Sequence, residues 1–397
     1  MFLLPSVCHF RSGKAHEQFI SDAGGFICVN SKFISSEGAV RKFSLKNFCC
    51  ARKGDVLMVM SDLPNGKALA KTFYVDEDNL YAVNQRVCAF TAYKDHPKYL
   101  QYKLNRAPYF LKFDDGVSQT HLLNNVFNKC PIAIPKSRLE QQAIAEALSD
   151  ADGLIESLEK LIAKKRLIKQ GAMQVLLTGK KRLPGFKGKW ITKSLGELFD
   201  FSGGVSASRD QLSGDGICYL HYGDIHLSTK TFVDVDRDAS SLPKLNISLN
   251  KVPPSALLKD GDIVFVDASE DNEGASKHVV VSNVASLPYI SGLHTIVAKP
   301  KGEDTNPLFR RYCFQTEEIK RKFVFFAVGT KVTGVSKTNI AKIALTYPPT
   351  DDEQFAIASI LRDMDSELSA LEQKLAKARQ IKQGMMQELL TGRIRLI

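Results

Sequence analysis

The chain has 397 residues, too many for one ordinary domain. With 44% hydrophobic and 24% charged residues it can bury a core, which excludes a disordered or low-complexity protein. A net charge of +11 favours an anionic partner, nucleic acid before a membrane surface.

The N-terminal stretch Met1–Phe10 is apolar, but it lacks a charged start and is too short for a signal peptide or a membrane span. The eight cysteines form no Cys-x-x-Cys pair, so they read as reduced thiols of a cytoplasmic protein rather than as a zinc site. Residues 1–135 then read as a first globular domain of mixed α/β character. Within it Lys53–Val59 is a turn running into a buried strand, and Ile132–Pro135 is a proline-marked boundary.

Residues 136–183 read as a long helix and connector. Ser137 and Glu140 have capping-box spacing, in which the hydroxyl accepts from a free helix N–H and the carboxylate reaches back. Apolar positions alternate by four and three through Ile144, Leu148, Ala151, Ile155, Leu158 and Ile162. Gly179 stands where a left-handed C-terminal cap is expected.

Residues 184–350 read as a second α/β domain that repeats features of the first. Phe201–Val205 resembles Phe10–Lys14, and Asp260–Val266 resembles Lys53–Val59. Gly334–Ile340 resembles Gly116–Leu122, and Leu345–Pro349 marks the exit. The second domain opens with a lead-in, Trp190 to Glu197, that finds no match before Met1–Pro5. A late start or a lost opening segment is the expectation for the first domain.

Residues 351–397 close the chain with a second long helix. It is capped by Thr350 and Glu353, has a seam of Ile357, Leu361, Met364, Leu368, Leu371, Leu375 and Ala378, and stops at Gly392. Set over residues 140–183 at an offset of 213, residues 353–396 are identical at about 25 of 44 positions, which is decisive for internal duplication. The expected fold is mixed α+β: two globular α/β domains separated by two long helices that form an antiparallel coiled coil, with a pseudo-twofold internal repeat. Two amphipathic helices in one ordinary core are the competing arrangement.

Signatures of chemistry are missing. No phosphate-binding Gly-x-x-x-x-Gly-Lys-Ser/Thr loop occurs. Tyr347-Pro348-Pro349 lacks the flanking residues of an amino-methyltransferase box, and Phe201 to Gly204 reads as a turn rather than a cofactor loop. Asp234, Asp236 and Asp238 have the first spacing of a calcium loop but not its glycine. Glu372 and Lys374 read as a surface pair on the helix. No histidine pairs with a nearby Cys or Glu at ligand spacing.

Three strings recur in order through the chain: Gly-Val-Ser-x-Thr before each boundary, Pro then Glu-Gln-x-x-Ile-Ala opening each helix, and Ile-Lys-Gln-Gly-x-Met-Gln-x-Leu-Leu-Thr-Gly closing it. The pattern resembles the specificity subunits of type I restriction-modification systems. The resemblance implies two target-recognition domains, each reading part of a bipartite double-stranded DNA site. It implies helices that act as spacer and as dock for two methyltransferase subunits, and a restriction subunit that joins for cleavage. It also implies no catalytic residue and no metal here, with S-adenosylmethionine on the methyltransferase subunits and ATP and Mg on the restriction subunit. A stand-alone DNA methyltransferase and a coiled-coil protein that never touches DNA are the alternatives.

On this reading Lys and Arg neutralise phosphates, and polar loop side chains discriminate base edges. The candidate DNA-binding residues of the first domain are Lys14, His16, Gln18, Ser61, Asn65, Lys67, Gln119 and His121. Those of the second are Ser206, Ser208, Arg209, His221, Tyr222, His226, Asn272, Lys277, His278, Lys331, Lys337 and Asn339. Met173, Leu176, Met386 and Leu389 are the candidate partner-binding residues.

Overall fold

A computed structural model of the protein describes residues 1–63, 67–228, 230–269, 277–326 and 333–396. The chain divides into two compact units, Met1–Lys160 with Gln373–Ile397, and Leu161–Glu372. Each long helix, Arg138–Leu176 and Asp351–Leu389, is continuous over 39 residues and gives one half to each unit.

The strand Val56–Val59 explains the layering of the first unit. Its four residues are all apolar and all buried. Successive side chains of a strand point to opposite faces, so an unbroken apolar run requires cover on both sides. Val56 and Met58 pack into one core with Cys8, Phe90, Leu100 and Phe127, while Leu57 and Val59 pack into another with Val29, Phe33 and Val83. In the second unit Ile263 and Phe265 face Phe309, Phe314, Ile357 and Leu361, and Val264 and Val266 face Val235, Val279 and Val297.

These central strands sit in an antiparallel four-stranded sheet in the first unit, ordered Cys8–Ser12, Val87–Ala92, Val56–Val59, Thr72–Tyr74. In the second unit the sheet has five strands, ordered Phe199–Gly203, Thr295–Pro300, Ile263–Val266, His278–Ser282, Phe232–Asp234. A smaller sheet in each unit carries one parallel pair, Phe26–Val29 with Tyr81–Val83 and Ile217–Leu220 with Tyr289–Ser291. The turns Arg52–Asp55 and Lys259–Asp262 enter the central strands alike. Gly54 and Gly261 take positive φ, and the buried carboxylates of Asp55 and Asp262 accept from Arg52 N and Lys259 N.

The helix halves run antiparallel in both units, as the descending partners of their ion pairs require. Asp152 pairs with Lys382 and Glu159 with Arg379 in the first. Lys165 pairs with Glu367, Lys169 with Asp365 and Arg166 with Glu372 in the second. Every residue of the expected seams is buried or half-buried. The capping boxes form by half: Ser137 Oγ and Thr350 Oγ1 accept from Glu140 N and Glu353 N at 3.4 Å. The carboxylates do not turn back to the caps. Glu140 takes both ends of the Arg395 guanidinium, and Glu353 takes both ends of Arg182. A charged, bidentate partner outcompetes a cap N–H.

Two expectations need correction. Leu4 to Val7 stand where the lead-in residues Leu195 to Leu198 stand. Phe2–Leu3 pairs with Pro131–Ile132 as Ile191–Ser194 pairs with Ala344–Tyr347, and Leu4 N donates to Cys130 O as Leu195 N donates to Ile343 O. The matched Gly-Val-Ser-x-Thr strings are not equivalent in space. Thr120–His121 pairs with Ser61–Asp62 and Thr333–Gly334 with Ala268–Ser269, after which Leu122 N bonds Met60 O and Val335 N bonds Asp267 O. Leu122 therefore matches Val335, and strand register overrides the similarity of a short turn string.

Candidate nucleic-acid interface

Folding brings the loop after the first strand against the turn that leaves the parallel pair, and does so in both units. Gly13 and Gly204 make the approach possible: a Cβ on them would lie 2.1 Å from Asn84 O and 1.9 Å from Gly292 O. This close approach is what the shared Phe-x-x-Gly string encodes. Lys14 and Val205 then bridge to Asn84 and Gly292 in parallel register.

In the first unit this loop leaves Lys14, Glu17 and Gln18 exposed. Glu17 Oε1 accepts from Asn84 Nδ2 at 3.0 Å and Gln85 Nε2 at 2.8 Å; desolvation pushes its carboxyl up, but the backbone N–H of Glu17, these two bonds and the backbone N–H of His16 together hold it below the usual range. His16 is wholly buried. Its Nδ1 faces Lys14 O at 2.7 Å and its Nε2 accepts from Phe48 N at 3.0 Å, so both ring nitrogens are spent bracing the loop. Ser61 is likewise buried, and its Oγ accepts from Gln119 Nε2 at 3.0 Å. Lys67, Gln119 and His121 are exposed. Asp115 Oδ1 takes Val117 N and Ser118 N, which pushes its carboxyl down to about 2 and ties the turn before Gln119.

In the second unit Ser206, Ser208 and Arg209 are exposed, with Ser208 and Gln211 forming a capping box. Arg209 Nη2 donates to Asp224 Oδ1 at 2.7 Å. His221 is buried and its Nδ1 accepts from Gly223 N at 3.0 Å, capping the short helix Tyr222–Leu227; burial lowers its pKa, and Arg209 adds to the effect. Tyr222 is half-buried, with ring centroids of His221 at 4.6 Å and His294 at 5.4 Å. Lys277 reaches His226 O. His278 is buried between Phe265 and Phe314 at 5.5 and 5.1 Å. Lys337 is exposed beside Gly203, and Asn339 is half-buried. Asn65, Asn272 and Lys331 lie outside the described residues.

Folding also brings Asn84 and Gln85 to these loops in the first unit and Asp267 and His294 in the second, positions that sequence reasoning did not single out as DNA-facing. They are far apart along the chain and carry no motif. The partner-binding candidates also fall unevenly. Met173 and Leu176 are buried in the core of the second unit, Leu389 is buried with Tyr99 and Leu148 in the first, and Met386 packs against it half-buried. The exposed apolar side chains of the helices are Leu139, Leu154, Leu161, Leu167, Ile168, Phe355 and Ile381.

The motif residues now have physical roles. Gln141 Oε1 accepts from His96 N and its Nε2 donates to Pro135 O and Asp95 Oδ1. Gln354 repeats this with Asn306 N, Pro348 O and Asp304 O. Tyr102 and Tyr312 donate to Asp152 and Asp365 at 2.7 and 2.9 Å. Each Pro/Glu-Gln signature therefore locks a helix start to its own globular part.

Asp234, Asp236 and Asp238 are engaged locally, with Arg237 N, with Val284 N and Ala285 N, and with the Arg237 guanidinium. Among the described residues no three His, Cys, Asp or Glu side chains gather at metal-binding distance, and no helix is long and apolar enough to cross a membrane.

The profile of the family described as "Type I restriction modification DNA specificity domain" matches residues 1–165 and 187–382. The type I restriction enzyme MjaVIII specificity subunit of Methanocaldococcus jannaschii is 26% identical over 315 residues, covering 75% of this chain and 70% of the relative. A putative type I restriction enzyme MjaX specificity subunit of the same organism is 25% identical over 326 residues, covering 76% and 69%. The crystal structure of a type I restriction-modification S subunit from M. genitalium superposes with a TM-score of 0.60 at 15% identity, over 98% of this chain and 95% of that one. A chain from a structure concerned with complex assembly and conformational transition of the type I system gives 0.57 at 15% identity, over 98% and 96%. At that identity the two structures speak for the fold, while the profile covers both repeats: the chain belongs to the DNA specificity subunits of type I restriction-modification systems.

Proposed function

We propose that each unit reads one half of a bipartite double-stranded DNA target, and that this chain contributes recognition and assembly but no catalysis. The observation that carries this reading is a repeated scaffold with unrepeated side chains. The Arg–Glu clamp, the Gln lock and the strand register occur twice, while the loop at Lys14–Gln18 and its counterpart at Val205–Arg209 differ in charge and shape. A duplicated frame with divergent loops suits two reading heads with different preferences. The basic balance supplies the sequence-independent attraction, and its contribution falls with salt.

Two methyltransferase subunits and a restriction subunit dock on this chain. S-adenosylmethionine belongs to the former, and ATP and Mg to the latter. The exposed apolar side chains of the helices, among them Leu167, Ile168 and Phe355 in the second unit and Ile381 in the first, are where we place that docking.

The test is exchange of residues 184–350 for the equivalent part of a relative, followed by mapping of methylated adenines in cells that carry the complete enzyme. One half of the recognised site changes and the other persists. Change of both halves together would overturn the modular reading. Calorimetric titration of the lone chain with S-adenosylmethionine gives no binding heat; saturable binding would point to a methyltransferase instead.

A further inference from the structure

Among the described residues Glu37, Ala70, Asn79, Arg86, Arg106, Ser286 and His294 take positive φ without being glycine, and two of them fall at equivalent turns of the two units. Arg86 and His294 have positive φ, 69° and 56°. They occupy the same place: each follows the parallel-paired strand of the small sheet and precedes a central-sheet strand, Val87–Ala92 and Thr295–Pro300. Each is pinned through its carbonyl, Arg86 O by Met60 N at 2.8 Å and His294 O by Asp267 N at 3.1 Å. Val87 N closes the first turn on Asn84 O at 3.2 Å, which makes Arg86 its third residue. A positive φ at that position favours Gly or Asn. An Arg in that conformation is uncommon, His adopts it more readily, and residues held there cluster at functional sites.

Both side chains are exposed. Beside Arg86 lie Gln85 and Asn84, both tied to Glu17. Beside His294 lie Asp267, whose Oδ1 is 3.3 Å from Nδ1, and Tyr222, whose ring it meets edge-on at 81°. Arg209 and Asp224 continue that set, and Asp224 Oδ2 is buried with no hydrogen-bond partner among the described residues.

The geometry points to these two turns as the base-reading corners of the protein, Arg86 for the half-site of the first unit and His294 for that of the second. Each projects from a turn whose backbone is pinned between two sheets, so the point from which its donors reach out is fixed. An Arg fork fits the O6 and N7 edge of guanine in the major groove. The inference rests on the reading that each unit recognises half of the target.

Glycine is the informative replacement, because it relaxes the backbone while deleting the side chain. Arg86→Gly and His294→Gly are assembled with the methyltransferase subunits, and thermal unfolding is recorded. Binding is then measured on duplexes carrying the methylome-mapped wild-type site and each single base-pair change. The expected result is unfolding no earlier than wild type, with roughly tenfold to hundredfold loss of discrimination. The loss is confined to one half-site for Arg86→Gly and to the other for His294→Gly. Arg86→Asn and His294→Asn, which also tolerate the left-handed conformation, lose discrimination at the same base pairs. Unchanged discrimination in a stable variant would overturn the inference, as would a uniform loss on specific and random duplexes alike. If the wild-type complex itself shows no preference for its mapped site, the proposed function fails instead.

Discussion

The Arg182–Glu353 pair shows how one residue type gains a different weight from its surroundings. The Glu353 side chain is 1% exposed and Arg182 is 25% exposed. Arg182 also donates to Gly188 O and Lys187 O and lies over Trp190. Removing one partner of a buried pair strands the other charge, which costs about 3 kcal/mol. Arg182→Ala therefore lowers the stability of the second unit by that order in chemical denaturation. Arg395→Ala has a smaller effect, because Arg395 is 61% exposed and water replaces it. The same pair carries a pH signature. The Arg395 guanidinium holds the Glu140 carboxyl below its ordinary range. A depressed carboxylate contributes stability above its unfolded pKa and loses it as the pH falls through the folded value. The difference in melting temperature between wild type and Glu140→Gln is thus largest near neutrality and vanishes on acidification. A difference independent of pH would mean that Glu140 acts through packing alone.

At the scale of elements, the long helices carry removable weaknesses. Gly153, Gly171 and Gly384 lie inside them, and a Cβ at any of the three would meet nothing within 4 Å. Glycine in an exposed helix interior costs about 0.8–1 kcal/mol relative to alanine. Gly153→Ala and Gly171→Ala each raise stability by up to that amount in denaturant titration, with helix content preserved. Gly179 behaves in the opposite way. Its φ is +68° and a Cβ would sit 3.2 Å from the Trp190 ring, so Gly179→Ala lowers stability. Its counterpart Gly392 shares the conformation, φ +76°, but meets nothing within 4 Å. Gly392→Ala therefore pays only for the backbone, and the milder loss of the two separates strain from clash.

At the scale of the whole molecule, chain order and structural order part company. The first unit is completed by residues from the far end of the sequence: Leu389 and Leu390 are buried with Tyr99, Tyr102, Ile144 and Leu148. Lys103 Nζ donates to Leu390 O at 2.6 Å, and Arg395 covers Glu140. Deleting residues 373–397 removes both leucines and exposes the face they cover, a loss on the order of 3–6 kcal/mol from the burial of the leucines alone. Amide exchange in Pro97–Leu104 then accelerates strongly, while the strand Ile263–Val266 keeps its protection. Equal protection of Pro97–Leu104 with and without the deletion would show that the first unit is complete without the C-terminal half-helix.

The repeat of the helices, their seams, the left-handed stops at Gly179 and Gly392 and the family were legible in the residues alone. Each rests on local spacing or on identity over dozens of positions, and a 3.5-residue period needs no knowledge of the partner to be read. The central strands were legible for the same reason, since an unbroken apolar run such as Ile263–Val266 demands cover on both faces. What the sequence could not decide was which polar residue braces and which one faces outward. His16, His221 and His278 have the chemistry of readers, yet their rings are spent on Lys14 and Phe48, on Gly223, and between Phe265 and Phe314. Met173, Leu176 and Leu389 have the chemistry of a dock but fill cores, while Leu167 and Phe355 on the same helices stay exposed. Arg86 and His294 could not be singled out in the sequence because positive φ, and the contacts around it, exist only after strands distant in sequence have paired. Burial, tautomer and backbone handedness are set by those long-range contacts, and so the tertiary structure alone assigned them.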